Sequence, residues 1–272
     1  MEFHTYMQLI ADDINILNPV VARAVKAREA GPIAEIAGRC AALGAAAIDV
    51  NPGPGSRDRR DTMSFCLQAV QAGTDLPVYL DSSEPDMLWQ GIEQCAGQAV
   101  INGFSLEPAK VETILPLAVR HRLPVVGFLL RPNGHVPASA EERLQIASDL
   151  LDVSTRAGLD PADLIIDPVL APLSWNDGTA QAASVLETIR MLPELCGTRV
   201  RTLVGLSNLT SGVKHPAAPM LEAMYLARLA EAGLSHALIN MRRSQAVACA
   251  RFCSVIDGNQ PFSWAEFERY LT

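Results

Sequence analysis

The chain has 272 residues, is 49% hydrophobic and carries a net charge of −8. That length suits one large core, and the expectation is a single domain over residues 1–272. The acidic balance, without a basic stripe, argues against nucleic acid or an anionic membrane surface as a partner.

No apolar run approaches the ~18 residues of a membrane span. The start, Met1-Glu-Phe-His-Thr-Tyr6, lacks the basic region and apolar core of a signal peptide. Six cysteines occur, Cys40, Cys66, Cys95, Cys196, Cys249 and Cys253, with no Cys-x-x-Cys pair and no His at ligand spacing. They read as reduced, mostly buried thiols of a cytoplasmic protein, and no metal site is expected.

In chain order, residues 7–14 form a half-apolar run ending at Asn15. Residues 19–29 and 32–43 read as helices, the second with Ile33, Ile36, Ala37 and Cys40 at three- and four-residue steps. A strand over 46–50 ends at Asn51 and enters the turn-rich Pro52-Gly-Pro-Gly55. A helix covers 62–72, and a strand over 77–80 ends at Asp81. A helix begins at Ser83, with Pro85 in its first turn. A strand over 98–101 ends at Asn102, and 107–121 is helical. Residues 124–130 are the most continuous apolar strand and exit through Arg131-Pro-Asn-Gly134. Ser139-x-x-Glu142 is a capping box opening a helix to Ala157. A strand over 164–166 ends at Asp167-Pro168, and a helix runs from about Gly178 to Leu192. Residues 201–206 are a strand stopping at Ser207-Asn208, before a loop at Thr210-Ser-Gly212. The helix 219–232, the strand 236–239 ending at Asn240, and helices from Ser244 and Ser263 complete the chain.

Eight strand candidates, each followed by helix, imply parallel strands with right-handed crossovers. Eight such units in this length are the size of a closed (β/α)8 TIM barrel. An open doubly wound sheet is the competitor, but the first strand-to-helix turn has no Gly-x-Gly-x-x-Gly.

The residues ending the strands are Asn15, Asn51, Asp81, Asn102, Arg131, Asp167, Asn208 and Asn240, and seven of these eight are Asn or Asp. In a barrel they gather at the C-terminal mouth, where this fold builds its active sites. Asn and Asp are also favoured in turns and as helix caps, which accounts for a share of them. Carboxylates accept hydrogen bonds, and amides both donate and accept. Such a ring suits a flat heterocycle whose amino group and ring N–H present two parallel donors to one carboxylate. Asp49 and Asn51 share side-chain parity, so both could point inward. A neutral amide at Asn208 is suited to handling a nitrogen leaving group.

The pieces Ile48-Asp-Val-Asn-Pro-Gly53, Leu80-Asp-Ser82, Ile101-Asn102, Pro116-Leu-Ala118, Ile166-Asp-Pro168 and Gly205-Leu-Ser-Asn208 follow one another over nearly the whole chain. In these the chain resembles the pterin-binding methyltransferases with the dihydropteroate synthase-like barrel, and within them the methyltetrahydrofolate:corrinoid methyltransferases. Gly-Leu-Ser-Asn is the specific match. The resemblance implies that Asp81, Asn102 and Asp167 hold the pterin ring, that Gly205 and Ser207 line its pocket, and that Asn208 contacts N5, which carries the methyl group. It further implies tetrahydrofolate or 5-methyltetrahydrofolate as substrate, a corrinoid (cobalamin) on a separate partner protein, and a homodimer.

The chain departs from the family's pattern in places. Asp13 stands where an Arg is frequent, Ser211 where a Gln is, and Asn240 where an Asp is. The segment 213–219 is longer. His135 and His215 read as surface histidines, and Arg57, Arg59 and Arg60 as a solvated loop that could meet an anionic tail. Two alternatives compete. Dihydropteroate synthase needs basic groups for a pyrophosphate leaving group, and Leu206-Ser-Asn208 and Leu238-Ile-Asn240 stand where the family places them. A non-catalytic folate-binding barrel predicts binding without methyl exchange.

Overall fold

The computed structural model describes residues 7–54, 61–197 and 200–268. Its strands are β1 (Gln8–Asn15), β2 (Ala47–Asn51), β3 (Val78–Asp81), β4 (Ala99–Phe104), β5 (Val125–Phe128), β6 (Leu164–Asp167), β7 (Arg201–Gly205) and β8 (His236–Ile239). They close into one barrel in sequence order. Every neighbouring pair is parallel, including β8 back onto β1 through Leu9 and Ala237. The helices are α1 (Pro19–Ala27), α2 (Ala30–Ala42), α3 (Thr62–Gly73), α4 (Pro85–Gln94), α5 (Pro108–His121), α6 (Ala140–Arg156), α7 (Gly178–Cys196), α8 (Ala218–Glu231), α9 (Ser244–Ile256) and α10 (Trp264–Glu268). Among the described residues no helix is long and apolar enough to cross a membrane. The (β/α)8 expectation therefore holds.

Side chains alternate across a strand, and here each direction meets its own core. Outward residues such as Ile48, Leu80, Ile101, Ile166, Val204 and Ile239 pack against the helices in the larger core. Inward residues form a separate cluster of Ile10, Ala47, Tyr79, Val100, Val126, Ile165 and Leu203, with Phe128 and Leu238 against it. This second cluster plugs the barrel. With both faces buried, the strands read as continuous apolar runs in the sequence.

Several boundaries differ from the sequence reading. β4 continues past Asn102 to Phe104, β5 stops at Phe128, and α7 continues to Cys196. α4 starts at Pro85 behind Glu84, not at Ser83; the Ser82 hydroxyl instead accepts the Glu84 N–H at 3.1 Å. The capping box forms by half: Ser139 Oγ accepts the Glu142 N–H at 3.2 Å, but the Glu142 carboxylate pairs with Arg131. Cys40 and Cys66 are buried, whereas the other four thiols are half-buried, fewer in the interior than expected.

Candidate functional site at the barrel mouth

Two residues beyond each member of the apolar plug, every strand presents its next inward position. These are Asp12, Asp49, Asp81, Asn102, Phe128, Asp167, Gly205 and Asn240, one per strand. The plug forms the floor and this ring faces the mouth. None of its members carries a positive charge.

Within the ring, β2 meets β3 and β4. The Asn51 amide donates to Asp81 Oδ2 at 2.7 Å, and the Asn102 amide donates to Asp49 Oδ1 at 2.9 Å. Asp49 and Asn102 are nearly fully buried, and Asp49 Oδ2 and Asn102 Oδ1 are left without a partner. Two buried acceptors left without donors are costly. They fit a ligand that brings N–H donors, as a pterin ring does.

Burial sets the acidities. It pushes Asp81 up to about 6, against the pull of the Asn51 amide. It raises Asp49 well above the usual carboxylate range, with repulsion from Asp81 adding to it. Asp167 is pushed up to about 7 by burial, opposed by the Val169 N–H and by Arg143. Acids crowded together in low dielectric hold protons until opposing donors arrive.

Asp167 is held from below. Its Oδ1 accepts the Val169 N–H at 2.8 Å, and Val169 has φ 59°, a strained conformation for a β-branched residue. Beneath lies Arg143 of α6, fully buried. Its guanidinium donates to Pro168 O and Ser184 Oγ, both at 2.9 Å, and to Gln181 Oε1 at 3.2 Å. Arg143 thereby fixes the chain reversal that follows β6.

Asn208 does not end β7. The strand stops at Gly205, and Leu206–Thr210 form a short 3-10 turn. Leu206 and Leu209 are buried anchors, and Ser207 and Asn208 are exposed. A Cβ on the inward-facing Gly205 would come within 3.1 Å of Asn208 Nδ2. The Asn208 amide therefore folds back toward Gly205 at the barrel mouth, where an added Cβ would crowd it. Ser207 turns the other way, donating to Asp12 Oδ2 at 3.2 Å. It borders a hollow of about 180 Å³ with Asp12, Thr210, Glu222, Asn240 and Arg243.

The structure thus joins Asp49, Asn51, Asp81 and Asn102 by hydrogen bonds, and sets Asp167 and Gly205 in the same ring. Ser207 touches the ring at Asp12 and borders a hollow that the ring members Asp12 and Asn240 also line. Four strand-end residues fall outside the ring: Asn51 and Asn208 reach back to it at Asp81 and Gly205, whereas Asn15 accepts the Leu17 N–H at 2.9 Å and Arg131 pairs with Glu142 at 2.5 Å. The turn explanation also has its share. Asn15, Asn51, Asp167 and Asn240 each accept an N–H two residues on. His135 is exposed, and exposed His215 accepts the Ala217 N–H at 3.1 Å through Nδ1. Arg57, Arg59 and Arg60 lie outside the described residues.

Sequence reasoning missed Asp12, pushed up to about 6 by burial and by Asp13. It also missed the role of Asp13, which accepts the Met241 N–H at 2.7 Å and faces Arg242 at 3.5 Å. Arg143 and Glu222 were missed too, although a signal existed. Each sits within a buried helical stripe: Arg143 with Ala140, Ile146, Ala147 and Leu150, and Glu222 with Ala218, Tyr225, Leu226 and Leu229.

The family model for pterin binding enzymes matches residues 19–240, most of the chain and every strand from β2 to β8. The chain belongs to the pterin-binding enzyme family. The methylcorrinoid:tetrahydrofolate methyltransferase of Eubacterium limosum is 24% identical over 238 residues, covering 86% of this chain and 85% of that one. Methionine synthase of Mycobacterium tuberculosis (strain ATCC 25618 / H37Rv) is 26% identical over 192 residues, 68% of this chain. That match spans 16% of the synthase, so this pterin-binding chain is similar to one part of it. Among solved structures, dihydropteroate synthase from Stenotrophomonas maltophilia superposes with a TM-score of 0.70 at 16% identity, covering 94% of this chain and 95% of that one. The enzyme from Xanthomonas albilineans in complex with 7,8-dihydropteroate gives 0.69 at 17%, with the same coverage. At such identities the superpositions establish a shared barrel.

Proposed function

We propose that this pterin-binding enzyme is a methyltransferase that moves a methyl group between N5 of tetrahydrofolate and the cobalt of a corrinoid carried by a separate protein. The observation that carries the reading is the neutral Asn208 amide over Gly205, beside a ring without a positive charge.

Asp49, Asn51, Asp81, Asn102 and Asp167 would bind the pterin. The amino group and ring N–H would fork onto an ionised carboxylate, and the orphaned Asp49 Oδ2 and Asn102 Oδ1 would find donors. Gly205 would leave room for Asn208. A tertiary amine leaves poorly until it gains a proton or a strong hydrogen bond. As the N5–methyl bond breaks, its electron pair stays on nitrogen and a proton is taken up there. The Asn208 carbonyl would accept from that N–H without itself titrating, which stabilises charge as it develops. A carboxylate there would hold the proton as an ion pair.

Dihydropteroate synthase chemistry is disfavoured by the same ring, because a pyrophosphate leaving group calls for cations. Arg242 and Arg243, which follow β8, are faced by Asp13 and Glu222. The family resemblance supports a corrinoid-bearing partner and a homodimeric assembly, and the unpaired cysteines support a cytoplasmic setting.

The test mixes the protein with 5-methyltetrahydrofolate and reduced cobalamin and follows the cobalt spectrum. Conversion to methylcobalamin supports the reading, and Asn208→Ala should slow it far more than it weakens folate binding. Folate binding without methyl transfer would favour a non-catalytic barrel. Condensation of a pterin pyrophosphate with an aromatic amine would favour the synthase.

A further inference from the structure

Glu222 is 4% exposed, on the face of α8 that Tyr225, Leu226 and Leu229 bury. An apolar side chain would satisfy that stripe, and a buried carboxylate is costly there unless its oxygens are met. Both oxygens have partners. Oε1 accepts the hydroxyl of Thr210, the last residue of the turn that carries Asn208. Oε2 faces Arg243 Nε at 3.8 Å, on the residue that opens α9 after β8.

Thr210 is itself 8% exposed. Its hydroxyl thus ties the 206–210 turn to α8, and through Glu222 to the segment after β8. At the other end of the turn, Gly205 limits where the Asn208 amide can lie. Among the described residues no hydrogen bond reaches that amide directly. Its direction depends on the turn, and the turn is anchored by Leu206, Leu209 and the Thr210–Glu222 bond.

We propose that Glu222, acting through Thr210, is a positioning residue that holds the Asn208 amide over the barrel mouth. This rests on the methyl-transfer reading, because it gives Asn208 the role that needs a fixed direction. Misplacing a reacting group by about an ångström can cost as much as a hundredfold in rate with little effect on stability.

The test measures single-turnover methyl transfer to reduced cobalamin, folate affinity and thermal midpoint for a small set of variants. Thr210→Val, which keeps the shape and loses the hydroxyl, and Glu222→Leu should each slow transfer by about tenfold or more, with folate affinity within about twofold of wild type. Thr210→Ser and Glu222→Gln, which keep a donor and an acceptor, should restore most of the rate. The double variant Thr210→Val/Glu222→Leu should be no slower than the slower single variant. On an Asn208→Ala background Thr210→Val should add nothing. If Asn208→Ala is slow but Thr210→Val transfers at the wild-type rate, the positioning role is wrong and the function stands. If Asn208→Ala itself transfers normally, the function reading falls and takes this role with it. A Thr210→Val that loses rate only in proportion to folded protein, with Thr210→Ser no better, would also overturn the proposal.

Discussion

Tetrahydrofolate binding should weaken as pH falls through 7, and Asp167→Asn should remove most of that dependence. Burial pushes Asp167 up to about 7, and one of its oxygens already accepts the Val169 N–H at 2.8 Å. The pterin's amino and ring N–H groups are donors, so they select the ionised carboxylate and displace its proton. The free protein holds that proton below about pH 7, so acid competes with the ligand. For one such carboxyl the dissociation constant scales with 1 + 10^(pKa − pH), about tenfold between pH 8.5 and pH 6. Asp81, pushed up to about 6, adds about twofold over the same window. Replacing Asp167 by Asn removes a charged acceptor, which should cost ~1.5–3 kcal/mol, about ten- to a hundredfold in affinity at pH 8.5. The slope left should come from Asp81 and Asp49, whose carboxyls burial also raises. Calorimetry at pH 6, 7 and 8.5, in two buffers of different ionisation enthalpy, gives the affinity and the protons released together. A wild-type affinity flat across that window would refute the reasoning, and so would an Asp167→Asn variant that keeps the full slope.

Three further outcomes are expected. Arg143→Met should strand Pro168 O, Ser184 and Gln181. Relief from burying a cation offsets part of the loss, leaving roughly 3 kcal/mol of destabilisation. The thermal midpoint should fall by ~6–12 °C, and a change within about 2 °C would show that the guanidinium does not brace this reversal. Asp12, Asp81 and Asp167 all have folded-state pKa values raised from 3.8. The folded chain therefore holds more protons than the unfolded chain between about pH 4 and 7, and the ligand-free protein should lose thermal stability as pH rises across that window. Scanning calorimetry that found a steady gain there would contradict the buried-acid description. Gly205→Ala meets no backbone penalty at φ −76° but puts a methyl 3.1 Å from Asn208 Nδ2. Methyl transfer should slow by about tenfold with the thermal midpoint nearly unchanged; an unaltered rate would mean that the amide does not act from that position.

The sequence by itself determined the barrel. Its strands are buried on both faces, so each appears as a short apolar run, and the helices between them force parallel order and closure at this length. It also determined that acids and amides collect where the strands end. What tertiary structure decided was which of them face one another. A strand sends alternate residues to opposite sides, and its last residue has no fixed parity. Counting from the apolar plug admits Asp12 and Phe128 and leaves out Asn15 and Arg131. The bend that returns Asn208 over Gly205 has no apolar period to announce it, because a 3-10 turn of five residues is too short for a repeating pattern to stand out. Arg143 and Glu222 were visible as charges on buried stripes, but the partners of Arg143 on the β6 exit and α7 lie 25 to 41 residues away in the chain, and those of Glu222 lie 12 to 21 away. Only a closed barrel brings those distant groups within hydrogen-bonding or ion-pairing reach, and burial there turns ordinary carboxylates into groups that titrate near neutrality.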